Sequence, residues 1–241
     1  MKVLVACEFS GIVREAFRKR GHDAWSCDLL PTEIEGRHLQ GNVLELLNHE
    51  WDLMIAHPPC TYLCGMGVWW NHKRPERIPL MEEAIEFVRK LMAAPIPRIA
   101  IENPVGCLST RIRKPDQIVN PWQFGQEFNK PTCLWLKNLP KLVPTKIVGK
   151  GKFYIKKNGA RMSAWSHITS GTRKEERARI ASRTFQGIAD AMAEQWGKHD
   201  GYATDIRDAV PVGLANNSGL LGTNRGIRIG MDTDGQSDVS L

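Results

Sequence analysis

Four short groups carry side chains able to do chemistry: Glu8-Phe9-Ser10-Gly11, Asp28, His57-Pro58-Pro59-Cys60 and Glu102-Asn103-Pro104. A cysteine behind two prolines offers a sulfur nucleophile on a stiffened turn. A glutamate in a comparable place offers proton transfer. Taken singly, each group has a purely structural reading. Gly11 permits a tight turn, Asp28 caps a helix, the proline pair stops a strand, and Cys60 is a small buried hydrophobe. Their common position changes the reading. Each follows an apolar run, and groups at the carboxyl ends of strands in a parallel sheet line one crevice.

The elements that must position them follow from hydrophobic periodicity. Lys2–Cys7 is a short apolar, β-branched strand. Ile12, Val13, Ala16 and Phe17 then recur at helical spacing, and Lys19-Arg20-Gly21 gives a basic last turn with a glycine stop. His22–Cys27 reads as a second strand closing on Asp28, Asp52–Ala56 as a third and Arg98–Ile101 as a fourth. Between the last two a helix opens at Pro79 and carries Met81, Ala84, Ile85, Val88, Leu91 and Met92 on one stripe. Strands alternating with helices predict an α/β fold, a mostly parallel sheet covered on both faces. From Pro115 to Ala164 prolines and aromatics predict short strands and loops. A long helix resumes near Arg173 with Ile180, Ala181, Ile188, Met192 and Trp196 in its stripe, interrupted at Thr184-Phe185-Gln186-Gly187. Residues 198–241 hold seven glycines and no helical period, which predicts a flexible tail.

Composition narrows the partners. The chain has 241 residues, 42% hydrophobic and 24% charged, so a core of ordinary size is available. Lysine plus arginine exceed aspartate plus glutamate by 33 to 26, which favours polyanions as partners. Residues 1–197 carry +9 and residues 198–241 carry −2, so the basic character belongs to the folded part. No apolar run approaches the roughly 18 residues of a membrane span. An acid as early as Glu8 argues against a signal peptide. The six cysteines form no CxxC pair, and His57 with Cys60 and Cys64 lacks a second ligand pair, so no metal is expected and reduced cytoplasmic thiols are. Eight tryptophans against three tyrosines offer flat rings on which a nucleobase stacks.

The order and spacing of the four groups resemble the catalytic domain of the DNA (cytosine-5)-methyltransferases, in the compact form carried by phages and prophages. The likeness covers about residues 1–140 by motif and the closing helices more loosely. It implies a Rossmann-like fold that binds S-adenosyl-L-methionine. Phe9-Ser10-Gly11 matches the family's Phe-x-Gly turn, Asp28 the acid on the ribose hydroxyls, and Gly41-Asn42-Val43 the step against the adenine, with Pro58 on the cofactor side. Pro59-Cys60 matches the turn of the nucleophile and Glu102-Asn103-Pro104 the Glu-Asn-Val step. The resemblance implies that Cys60 adds to carbon 6 of cytosine, activated by local positive potential, while Glu102 protonates N3. That role asks for a carboxyl raised by burial. Pro59 and Asn103 would face the substrate, and a target inside a duplex would be flipped out.

The sequence also departs from the family. Val13 and Arg14 stand where glycines are usual and would crowd the methionine tail, Asn42 replaces an acid, and Thr61 replaces a glutamine. The family's late Arg-x-Arg step is missing at its usual distance, and Arg113 of Arg111-Ile112-Arg113 is the substitute, a third catalytic residue beside Cys60 and Glu102. Residues 115–168 form a reduced basic and aromatic insert in place of a target-recognition domain, giving a catalytic domain over residues 1–197. Within it Lys150, Lys152, Lys156 and Lys157 would grip DNA phosphates, and Trp122, Trp135 or Trp165 would stack unless they pack the core. Two rival readings stand beside this one. His57-Pro58-Pro59-Cys60 is similar to the Asp/Asn-Pro-Pro-Tyr turn of amino-methylating DNA enzymes, and the fold could persist as an inactive nucleic-acid-binding module.

Overall fold

The computed structural model describes residues 1–198, so the expected tail lies, from residue 199 on, outside the described residues. The strands are β1 (Lys2–Ala6), β2 (Asp23–Asp28), β3 (His38–Gln40), β4 (Leu53–Ala56), β5 (Arg98–Pro104), β6 (Gln117–Val119), β7 (Thr132–Lys137), β8 (Phe153–Ile155) and β9 (Arg161–Ser163). The helices are α1 (Ile12–Arg18), α2 (Gly65–Lys73), α3 (Ile78–Met92), α4 (Leu108–Arg111), α5 (Ala164–Ser170), α6 (Lys174–Ser182) and α7 (Gln186–Trp196). Seven strands form one sheet in the order β3-β2-β1-β4-β5-β7-β6. The first five of these are parallel, and β7 runs antiparallel to both β5 and β6. The fold is the Rossmann-like α/β class expected, a mostly parallel sheet with helices on both faces.

Alternation along each strand splits the core in two. Val3, Val5, Leu53, Ile55 and Leu134 face α1 and α7, burying Phe17, Met192 and Trp196. Leu4, Met54, Ile99 and Trp135 face α3 and bury its Met81, Ile85, Val88 and Leu91. The α3 stripe is therefore the one its spacing predicts. Chain order reverses between β1 and β4, so the crevice at their carboxyl ends is the topological switch point.

Several expectations need correcting. Glu102, Asn103 and Pro104 do not follow the strand that carries them. They end it, because β7 pairs with them from outside, Glu102 with Leu134, Asn103 with Cys133 and Pro104 with Thr132. The strand read as third is the fourth, since three-residue β3 precedes it on the sheet edge. Helix α2 was also not expected; its tryptophans and glycines give no apolar stripe. Of residues 115–168, β6 and β7 belong to the main sheet, the β8–β9 hairpin forms a second sheet, and α5 packs its Trp165 against the core. The helical segment from Arg173 does match its expectation, split into α6 and α7 at the Thr184–Gly187 interruption. Among the described residues no helix is long and apolar enough to cross a membrane, and no cluster of metal-ligating side chains occurs.

Candidate active site

Strand β1 delivers the first group through a strained corner. Cys7 takes the left-handed conformation at φ 57°, unfavourable for a side chain by about 1–2 kcal/mol. The corner turns Glu8 back over α1. Its carboxylate accepts from the backbone N–H of Val13 at 2.7 Å and of Arg14 at 3.2 Å, and Ser10 Oγ donates to it at 3.3 Å. The free N–H groups at the start of α1 are thereby satisfied. Gly11 has φ 73°, and a Cβ there would lie 2.7 Å from Arg14 Nη2. Arg14 is fully buried and donates to Glu15, Ser26, Thr32 and the carbonyls of Ile34 and Glu35. It ties the loop after β2 to α1.

Glu33 in that loop binds Arg179 at 2.7 Å and Arg183 at 2.8 Å, and its N–H donates to the Phe9 carbonyl. The hydrogen bond from Arg183 holds its carboxyl below the ordinary glutamate value, against a smaller burial effect. This joins α6 to the Phe9 turn, with Phe9 buried and the Arg179 guanidinium 5.7 Å from its ring. Asp28 Oδ1 accepts from Leu30 N–H, and Asn42 Oδ1 accepts from Leu44 N–H. Leu29, Leu30 and Ile34 beside them are exposed.

His57, Cys60 and Glu102 come together at the ends of neighbouring β4 and β5. His57 Nδ1 donates to Glu102 Oε2 at 3.1 Å, with the two side chains 6% and 16% exposed. His57 Nε2 is buried and has no partner. Asn103 is 1% exposed and spends its amide on the Pro58 carbonyl at 2.8 Å. It braces the proline turn against β5 and does not face outward. The Cys60 carbonyl accepts from the N–H of Leu63 and Cys64, and Cys107 N–H donates to the Leu63 carbonyl at 2.8 Å. At Gly106 the two loops nearly touch: a Cβ would lie 2.0 Å from that carbonyl oxygen.

The charges here differ from what the resemblance asks of Glu102. Burial pushes its carboxyl up, but the hydrogen bond and charge of His57, aided by Lys130, outweigh burial and hold it below the usual value. Glu8 is the opposite case: burial raises its carboxyl despite the charge of His57 and its two backbone donors. The thiols divide as well. A hydrogen bond to Cys64, then burial, keeps Cys60 as a thiol. Cys64 caps α2 and is lowered to about 6, first by Cys60 and then, against burial, by the N–H groups of Gly67 and Met66. Burial raises Cys7, Cys27 and Cys133.

Of two further residues near Cys60 and Glu102, the first carried no sequence signal. Lys130 favours the charged forms of both Cys60 and Glu102, and its ammonium donates to the Ala181 carbonyl beneath Trp165 and Phe185. His57 carried only a turn-motif signal. Arg113 is not brought in. It binds Asp116 at 2.8 Å and the Leu136 carbonyl, beside the amino half of β5, because antiparallel β7 carries its neighbours away from the crevice.

The tryptophans also sort differently. Trp135 is core and bonds the Arg113 carbonyl, while Trp165 packs between Phe128 and Phe185. Trp122 is half-buried under the ammonium of Lys150. Exposed rings occur on α2 instead, where Lys73 lies over Trp69 and Arg74 over Trp70. Lys152, Lys156 and Lys157 are exposed on and beside the β8–β9 hairpin. A depression of about 680 Å³, lined by Lys2, Asp23, Trp25 and Trp51, opens at the amino ends of the strands, away from Cys60 and Glu102.

No family model and no curated protein matches the chain. Among solved structures it is similar to a prophage-encoded protein of E. coli described as a proposed DNA modification methyltransferase. The two share 16% identity and a TM-score of 0.44 over 62% of this chain and 52% of the other. The chain thus spans about half the length of that relative.

Proposed function

We propose that the chain is an S-adenosylmethionine-dependent DNA methyltransferase that modifies carbon 5 of cytosine through a covalent Cys60 adduct. The observation that carries this reading is the convergence of Cys60 with Glu102, across His57, at the ends of β4 and β5 beside the switch point of the sheet. A thiol and a carboxyl that interact electrostatically can address the carbon 6 and N3 positions of one pyrimidine.

The nucleoside end of the donor suits the residues present. Asp28 keeps one carboxylate oxygen for a diol, Asn42 keeps its amide N–H for a purine edge, and Leu29 and Leu30 offer apolar surface. The N–H groups of Val13 and Arg14 are taken by Glu8, so they are not what holds the amino-acid tail. When bound, the donor supplies an electrophilic methyl group. Cys60 passes its proton to Cys64 and adds to carbon 6, Lys130 stabilises the developing thiolate, and Glu102 binds the N3 and amino edge. Pro58, Pro59 and Asn103 fix the turn. Trp69 and Trp70, with Lys73 and Arg74 and the hairpin lysines, suit the flanks of a flipped base.

Amino methylation fits less well, since the ring that must accept the target amine, His57, is buried and faces Glu102. The test is to treat cytosine-containing duplex with methyl-labelled donor, digest to nucleosides and identify the labelled one. Label in 5-methyldeoxycytidine supports the proposal, and label on an exocyclic amine refutes it. DNA binding without transfer would leave an inactive module.

A further inference from the structure

Glu102 has a task that conflicts with its surroundings. Protonation of N3 needs a proton on or beside the carboxyl, yet His57 and Lys130 favour the carboxylate. A proton donor must therefore lie next to it. The group in contact is the imidazole of His57, 3.1 Å away through Nδ1, almost completely buried and unpartnered at Nε2. The charged groups around this ring are Glu8 from the turn after β1 and Glu102 from β5, with Lys130 from the loop before β7 and Cys60 from its own turn acting on Glu102. Glu8 is held in place by the backbone N–H groups that open α1, so its position beside the ring is fixed. Its backbone N–H bonds the Ala6 carbonyl as any residue's would, so the backbone does not call for a histidine here.

We propose that His57 is the positioning residue that supplies Glu102 with the proton delivered to N3, the Glu102–His57 pair acting as one unit. This rests on the cytosine reading above. As Cys60 forms its bond to carbon 6, the electron pair of the carbon 5–carbon 6 bond moves into the ring and N3 becomes basic. The N–H bond at Nδ1 of the imidazolium breaks and an O–H bond forms on Glu102. The carboxyl turns about its soft terminal torsion and passes that proton to N3, leaving neutral imidazole and carboxylate. Elimination of Cys60 after loss of the carbon 5 proton returns the N3 proton along the same route. The net proton released is the one from carbon 5.

The test uses the full chain. Wild-type protein is first trapped on duplex DNA containing 5-fluorodeoxycytidine; absence of an adduct would sink the cytosine reading itself. With the adduct in hand, single-turnover methyl transfer is followed across pH for wild type and His57→Gln. Glutamine can still donate to Glu102 but cannot release a proton. We expect a loss of about 10²-fold, within the range of general acid catalysis, and disappearance of the limb in which wild-type activity falls as pH rises. His57→Ala should regain rate with added imidazole. A second readout needs no activity: the 13C carboxyl signal of Glu102 should titrate at higher pH in His57→Gln, because burial is then less opposed. An unchanged rate and pH profile in His57→Gln, or an unmoved Glu102 titration in that variant, overturns the proposal.

Discussion

The contact at Gly106 gives a perturbation whose size can be worked from distances. Alanine there would place its Cβ 2.0 Å from the Leu63 carbonyl oxygen and 2.7 Å from Cys64 Cα. Real Cβ atoms essentially never lie closer than 3.0 Å, so the loop after β5 and the Cys60–Cys64 turn must separate by at least about 1 Å. Both loops are backbone at the contact, so no side chain can swing away. A 1 Å misplacement of reacting groups costs roughly 10²-fold in rate. Overpacking itself costs about 1–3 kcal/mol, a fall in Tm of roughly 2–12 °C for a domain of this size. Gly65→Ala is the control, because its nearest neighbour, the Val105 carbonyl oxygen, is an ordinary 3.9 Å away. Single-turnover methyl transfer and thermal unfolding would be measured on both variants. If Gly106→Ala and Gly65→Ala transfer at the same rate within twofold, the reasoning that this contact sets the position of Cys60 is wrong.

Four further outcomes are expected. Asn103→Ala leaves the Pro58 carbonyl unpaired in the interior and should destabilise the fold by about 1–3 kcal/mol in urea unfolding, with a larger loss of transfer rate than of DNA binding. Cys64 should be alkylated by iodoacetamide ahead of Cys7, Cys27 and Cys133, slowing as pH falls below about 6, which peptide mass spectrometry would follow. Glu33 is lowered by Arg183 and Arg179, so its stabilising contribution is present above the unfolded value near 4.3 and is lost as pH falls through its folded value. Comparing Tm against pH for wild type and Glu33→Gln should show the difference at neutral pH and its disappearance in acid. Leu91→Ala, at a fully buried position of α3, should cost about 2–5 kcal/mol by urea unfolding without changing the donor affinity of the folded protein.

Features set by local pattern were legible, and those set by contacts between distant segments were not. The α3 stripe and the break between α6 and α7 are local, and so is the left-handed Gly11 before α1. Cys60 and Glu102 were legible as a thiol and a carboxyl at strand ends, but the state of each depends on a neighbour the sequence does not place. Lys130 sits in an undistinguished Asn-Lys-Pro step and reaches the site only because β7 runs antiparallel along β5. Arg14 looked like an obstruction, and its burial against Ser26 and Thr32 depends on how the loop after β2 folds back. Arg113 matched a motif by residue type, while strand direction carried it away. Among the tryptophans, composition gave a count, and only packing separated Trp135 in the core from Trp69 and Trp70 on the surface.

The central claim is that Cys60 bonds covalently to a cytosine and that the methyl group follows. Duplex DNA carrying 5-fluorodeoxycytidine blocks the final loss from carbon 5, so protein, base and methyl group should remain joined. Wild-type protein with methyl-labelled S-adenosylmethionine is expected to give a labelled, denaturant-resistant complex that maps to the peptide containing Cys60 and is absent from Cys60→Ala. A wild-type protein that transfers label to DNA without ever forming that complex, or a complex that survives Cys60→Ala, would contradict the account.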